Sequence, residues 1–458
     1  MSNSHLNRKP HRNRPSLRWI GLMMTVAIVI TVLLSMFPTP IKESKISSVT
    51  DLGKRPFISI NLLLTNDRSE LPETKKLDSY IKQFMRQWSI KGASVAIMKD
   101  EKLIYAKGYG WADEEDSVRT EVKHIFRIAS ASKLLTATAI MKLVENKMLA
   151  LDQKPFAKGS ILDISAFQNI KDKRVRDITI EQLLRHRAGF SRRRGDPMFI
   201  PNTIRKRMNL DSTPTTDDII RYVLNRNLDY QPGSGTKYSN FGYLLLSRII
   251  EQVTGMPYES YVKNVILSPM GIHDMHIARN FHDQKFPNEV RYYEPPQELP
   301  IESFDGSGML CPKCYGGNDV AGLLGAGGWV ASPTELIYFI AHIDGRPHIP
   351  DILSAESIKI MTTSDDKLLP IGWARVRSDG DLIRTGTLSG MSAMIKCQKD
   401  GLSWVFLANT SSWKGARFPR IIEGMFNKAF SIVDTLPERD LLEITSAEQA
   451  ETDFPSED

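Results

Sequence analysis

Cysteine is scarce, with three residues in 458. That excludes a scaffold held by disulfides. Glycine (29) and proline (25) stay at ordinary levels, which excludes collagen-like and low-complexity chains. No internal repeat of solenoid length is visible. No Lys/Arg-rich block carries interleaved aromatics, so a nucleic-acid-binding surface is not indicated despite a net charge of +7. What is present is a globular composition: 41% hydrophobic and 25% charged residues.

The charge is unevenly placed. Residues 1–18 carry Arg8, Lys9, Arg12, Arg14 and Arg18 with no acid, whereas residues 436–458 carry eight acids against Arg439. A 19-residue apolar run, Trp19 to Phe37, follows the basic head. As a helix it is about 28 Å long, enough to cross a bilayer core. A cleaved signal peptide would be shorter and end in small residues. Here the exit reads Ser35-Met36-Phe37-Pro38-Thr39-Pro40. The expected organisation is a cytoplasmic basic segment (1–18), a single-pass inner-membrane anchor (19–37), a linker (38–72), a catalytic domain (73–435) and a disordered acidic tail (436–458). The cations keep the N-terminus inside, which puts the domain outside the cytoplasm, in the periplasm of a Gram-negative cell.

Within 73–435, Ala93–Met98 and Leu103–Gly108 read as a hairpin across Lys99-Asp100-Glu101-Lys102. Helices are expected near 132–147, 180–187, 216–225, 241–254, 257–265, 333–342 and 418–431. Strands are expected at Ile371–Val376, Leu382–Thr385, Met391–Cys397 and Trp404–Ala408, with one short strand at Phe57–Leu64. Strands at both ends and helices between them predict an α+β fold. In it, N- and C-terminal strands form one antiparallel sheet flanked by helices, and a mostly helical lobe is inserted.

Three short segments carry chemistry. Ser130 and Lys133 sit one turn apart at a helix start, so they share a face. A serine hydroxyl needs a base within reach, and a desolvated lysine with a lowered pKa supplies one. Tyr238-Ser239-Asn240 follows the turn Pro232-Gly233-Ser234-Gly235; the tyrosine can relay protons, and Asn240 offers a donor and an acceptor. Arg384-Thr385-Gly386-Thr387 ends a strand, where a cation and hydroxyls can hold a carboxylate and Gly386 permits close approach. The N–H groups of Ser130 and Thr387 can form an oxyanion hole. Each segment alone also reads as ordinary structure: an N-cap serine, a capping turn, a decorated strand end.

Together, in this order, the three resemble the β-lactamase-related serine hydrolases. Further segments carrying the likeness are Ile178–His186, Leu244-Leu245-Leu246, Gly327–Leu336 and the stretch through Gly390. The resemblance covers about residues 73–432. That superfamily includes class C β-lactamases, D-alanyl-D-alanine carboxypeptidases, D-amino acid peptidases and family VIII esterases. It implies that Ser130 becomes acylated, that Lys133 and Tyr238 exchange protons with it, and that Asn240 orients the acyl group. It implies an amide or ester substrate, such as a D-amino-acid-containing peptide, and neither cofactor nor metal. Arg384 departs from the usual Lys or His, which favours an anionic substrate end and puts lactam turnover in doubt. A silent protein that holds a peptide or cell-wall fragment is the alternative from outside enzymology.

Three features stand aside. His186 is expected to tie a loop to the lobe rather than serve a triad. Cys311-Pro312-Lys313-Cys314 lacks a second ligand pair for zinc and is expected to form a local disulfide. The long loop 283–320 is expected beside the cleft. The topology is checked with a reporter fused after residue 72. An alkaline phosphatase there is expected to be active, and activity of a cytoplasmic-type reporter instead would overturn the anchor.

Overall fold

Alternation of side chains along the strands organises the molecule. In β1 (Gly92–Lys99), Ala93, Val95 and Ile97 enter one apolar cluster while Ala96 and Met98 enter another. The computed structural model describes residues 59–193 and 195–443. The basic segment, the apolar run 19–37, residues 38–58 of the expected linker and residues 444–458 of the tail lie outside them. Among the described residues, no helix is long and apolar enough to cross a membrane.

The remaining strands are β2 (Lys102–Asp113), β3 (Val118–Arg119), β4 (Phe126–Arg127), β5 (His276–Ile277), β6 (Ile301–Glu302), β7 (Leu310–Cys311), β8 (Trp329–Ala331), β9 (Arg375–Val376), β10 (Leu382–Leu388), β11 (Met391–Cys397) and β12 (Leu402–Ala408). Seven form one antiparallel sheet in the order β3-β2-β1-β12-β11-β10-β9. β1 lies against β12 in the register Ala93↔Ala408, which joins the two ends of the domain. The architecture is the expected α+β one.

One face of the sheet is covered by two terminal helices, Lys75–Gln87 and Phe418–Phe430. Phe84 stacks on Phe418 at 5.9 Å and Trp404 on Phe426 at 4.3 Å. The other face meets the inserted lobe, whose centre is the helix Ser132–Glu145. That helix is buried nearly all round, which makes it a core helix rather than an amphipathic one. Trp329 N–H donates to Ser132 Oγ at 3.1 Å and fixes the helix start against β8.

Several expectations are corrected. Residues 59–72, expected to belong to the linker, are folded onto the domain. Residues Ile60–Leu63 form a helical turn rather than a strand, and Asn61 is buried with Nδ2 donating to Asp274 at 2.7 Å. Ser59 Oγ bonds to the buried Glu335. The acidic tail begins later than Leu436, because Asp440 accepts from Leu103 N–H at 3.1 Å and Leu441 is buried. The strand Ile371–Val376 shrinks to β9, since Gly372 takes φ +77 and breaks the extended run. The helix at 257–265 is a single α-turn, Tyr258–Tyr261, continuing into a π-turn, Val262–Leu267.

Candidate functional site

The sheet edge sets the site. Among the described residues, β9 pairs only with Leu382 and Ile383 and no strand pairs with β10 beyond them on that side, which leaves an edge there. Ala374 N–H donates to Ile383 O at 2.9 Å. By alternation, the odd-numbered residues of β10 direct their N–H groups to that outer edge, Thr385 and Thr387 among them. A cleft of about 400 Å³ lies along this edge. Ser130, Tyr238, Asn240, Arg384, Thr385 and Thr387 all line it, so the structure brings together three segments far apart in sequence.

Ser130 lies in a short 3₁₀ turn, Ala129–Ala131, that leads into the helix Ser132–Glu145. The preceding residue, Ala129, has φ +47, an uncommon conformation for a residue with a Cβ. Ser130 Oγ is 2.7 Å from the Tyr238 hydroxyl, and Lys133 Nζ donates to Ser130 Oγ at 3.4 Å. Lys133 is fully buried and also donates to Asn240 Oδ1 at 2.9 Å and to the Ala326 carbonyl. Burial, with Arg384 nearby, lowers its pKa to about 8 against the opposing pull of Tyr238. For Tyr238, burial acts to raise the pKa, but Lys133 and Arg384 outweigh it and bring it down to about 8. Lys133 and Tyr238 are thus both shifted toward neutrality and linked through the serine hydroxyl.

Two expected substrate contacts are corrected. Arg384 is 2% exposed, with Nε donating to the Ser130 carbonyl at 2.7 Å and Nη2 3.5 Å from the Tyr238 hydroxyl. It is a buried brace and a source of positive potential, not an open carboxylate receptor. Gly386 does not line the cleft. It faces the Ser130 turn, where a Cβ would collide with the Ile128 carbonyl oxygen and lie 3.2 Å from Ala129 Cβ. Its lack of a side chain serves contact between strand and turn rather than substrate approach.

Asn240 is also committed. Its Nδ2 donates to Asp196 at 2.9 Å, which turns Oδ1 toward Lys133. Asp196 escaped the sequence reading, although Asp196-Pro197 is a helix-start signal; its other oxygen caps Met198 N–H at 3.1 Å. Ser239 caps the helix Asn240–Thr254 through Gly242 N–H, which sets the direction in which Asn240 leaves the turn. His186 is structural, as expected. Its Nδ1 accepts from Ser239 N–H at 3.2 Å, its ring lies 4.4 Å from that of Tyr238, and burial holds it neutral.

The loop 283–320 does not line the cleft, contrary to expectation. It supports the site from behind. Arg127 N–H donates to the Tyr292 hydroxyl at 2.8 Å, and Arg127 Nη1 donates to the Cys314 carbonyl at 2.6 Å. The expected disulfide is absent: Cys311 and Cys314 are free thiols. Cys311 Sγ turns to Ile301 O at 3.6 Å across the β6–β7 hairpin. Cys314 Sγ turns inward to Tyr292 O at 3.8 Å, and burial pushes its pKa up to about 12. Among the described residues, no group of His, Cys, Asp and Glu is arranged to hold a metal.

Known proteins resemble this chain in sequence and in fold. The beta-lactamase family model matches residues 77–421. Protein flp of Staphylococcus aureus (strain MRSA252) is 29% identical over 371 residues, covering 79% of this chain; the chain spans 66% of that relative's length. Among solved structures, the octameric penicillin-binding protein homologue from Pyrococcus abyssi superposes with a TM-score of 0.58 at 24% identity, over 80% of this chain and 78% of that one. The D-amino acid amidase from Ochrobactrum anthropi SV3 gives 0.58 at 21% identity, over 78% and 96%.

The packing of Gly386 yields a test. Gly386→Ala is expected to lower stability by about 1–3 kcal/mol in denaturant titration. By displacing the Ser130 turn, it is also expected to cut reaction of Ser130 with a fluorophosphonate about 100-fold. Full reactivity would show that the strand and turn are not locked together.

Proposed function

The chain belongs to the beta-lactamase family, and from that premise we propose that it is a serine hydrolase opening an amide or ester through an acyl-enzyme on Ser130. The observation that carries this is the hydrogen-bonded trio of Ser130, Lys133 and Tyr238, two of them shifted to proton affinities near neutrality. Lys133 or Tyr238, whichever has lost its proton, takes the proton of Ser130 Oγ as that oxygen attacks the carbonyl carbon. The N–H groups of Ser130 and Thr387 receive the oxyanion. The Tyr238 hydroxyl, on the cleft side of the trio, returns the proton to the leaving group. Arg384 favours the phenolate form of Tyr238 through its positive charge. Water then enters by the same route in reverse and releases the acyl group.

The likeness to an amidase of D-amino acids supports an amide substrate with D configuration as the first choice, ahead of a simple ester or a lactam. The apolar run Trp19–Phe37 supports a domain tethered to the inner membrane and working outside the cytoplasm.

The pH dependence checks the proton chemistry. Below the shared titration, Lys133 holds its proton and Tyr238 is neutral, so neither can accept from Ser130. kcat/KM is therefore expected to rise with pH through a midpoint near 8, which belongs to the coupled pair. Tyr238→Phe is expected to lower kcat by about 100- to 10,000-fold. A pH-independent rate between 6 and 9 would contradict the assignment.

A further inference from the structure

The sequence places the substrate's anionic end at Arg384, but that guanidinium is buried and committed to Ser130 O. The charge inventory of the cleft points elsewhere. Among the described residues, its lining includes two cations, Arg192 and Arg384, and no carboxylate. The nearby acid, Asp196, is 7% exposed and engaged by Asn240 and Met198 N–H. Arg192 differs from Arg384 in being 40% exposed. Its Nη1 donates to the Tyr238 carbonyl at 3.3 Å, and its Nη2 lies 3.6 Å from Asp196 Oδ2. One contact is made by each terminal nitrogen, so the fork is held at both tips, and the second hydrogen of each tip borders the cleft that Arg192 lines.

A guanidinium held this way is preorganised for a carboxylate, because little rotamer freedom is left to lose on binding. Thr385 and Thr387 line the same cleft and add hydroxyl donors. The same inventory disfavours a free ammonium. Among the described lining residues, a substrate cation would find two positive side chains and no exposed negative partner, in a setting where burial strengthens repulsion.

We infer that Arg192 is the specificity-determining residue of the cleft, and that it selects acyl substrates carrying a free carboxylate over those carrying a free ammonium. This deepens the serine-hydrolase reading and rests on it. The carboxylate sits on the acyl portion or on the leaving group, and two substrate series distinguish these.

The test uses the full chain. One series varies the acyl group of p-nitrophenyl esters: hexanoyl, the half-ester of adipate, and 6-aminohexanoyl. The other varies the leaving group of acetylglycyl esters: phenyl, 3-carboxyphenyl and 3-(aminomethyl)phenyl. In at least one series the wild type is expected to favour carboxylate over neutral by about tenfold in kcat/KM and to place ammonium last. Arg192→Met is expected to bring the carboxylate-to-neutral ratio close to one, and Arg192→Glu to put ammonium ahead of carboxylate. Fluorophosphonate labelling of Ser130 in each variant confirms that the site is intact. Turnover that depends on Ser130 without a carboxylate preference in either series overturns the assignment of Arg192 and leaves the hydrolase reading standing. So does a preference that survives both substitutions. Absence of any Ser130-dependent turnover or labelling overturns the hydrolase reading itself, and this inference with it.

Discussion

A lysine ammonium in the interior needs every N–H satisfied, and Lys133 is such a group. Its three donors find three acceptors: Ser130 Oγ, Asn240 Oδ1 and the Ala326 carbonyl. Those acceptors come from segments roughly 100 residues apart along the chain. Among the described residues, no carboxylate comes within ion-pair distance of Lys133. The cost of burying the charge therefore falls on proton affinity, and its pKa drops toward neutrality. The same geometry that makes the lysine satisfiable makes it a usable base.

The surrounding contacts keep that arrangement in place. Asp196 orients the Asn240 amide, and His186 and Arg384 fix Tyr238 from two sides. Arg384 reaches the Ser130 carbonyl from β10, while Gly386 lets the strand close against the turn at Ile128. Ala129 holds a left-handed conformation just before the serine, a cost of order 1–3 kcal/mol that the packing around it must offset. The cleft that results is electropositive, with one cation buried as structure and one, Arg192, at the rim.

Much of this was legible in the sequence because it rests on local patterns. The period-2 strands at 93–98 and 404–408, the apolar helix after Ser132 and the turn before Tyr238 depend on neighbours a few residues away. Ser130, Lys133 and Tyr238 stood out as candidates through their order and the family resemblance, and their side chains do meet in the fold. What escaped depends on burial and long-range partners. Arg384 and Arg192 are the same residue type, and only the fold makes one a brace and the other a rim cation. Ala326 acts through its carbonyl, which no side chain announces. Ile60–Leu63 is too short for a helical period to register, and Leu441 in an acidic stretch looked solvated though it fills a core position. Cys311 and Cys314 suggested a local bond in an oxidising compartment, yet Cys311 Sγ turns to Ile301 O and Cys314 Sγ to Tyr292 O.

The central claim is that Ser130 becomes acylated with the help of its two neighbours. Intact-protein mass spectrometry on rapidly quenched mixtures of the protein and an activated acyl ester tests it most directly. The account predicts a mass increase equal to one acyl group, mapped by peptide digestion to Ser130, absent in Ser130→Ala and slowed in Lys133→Met. An adduct on another residue, or none under conditions where substrate is consumed, would contradict it.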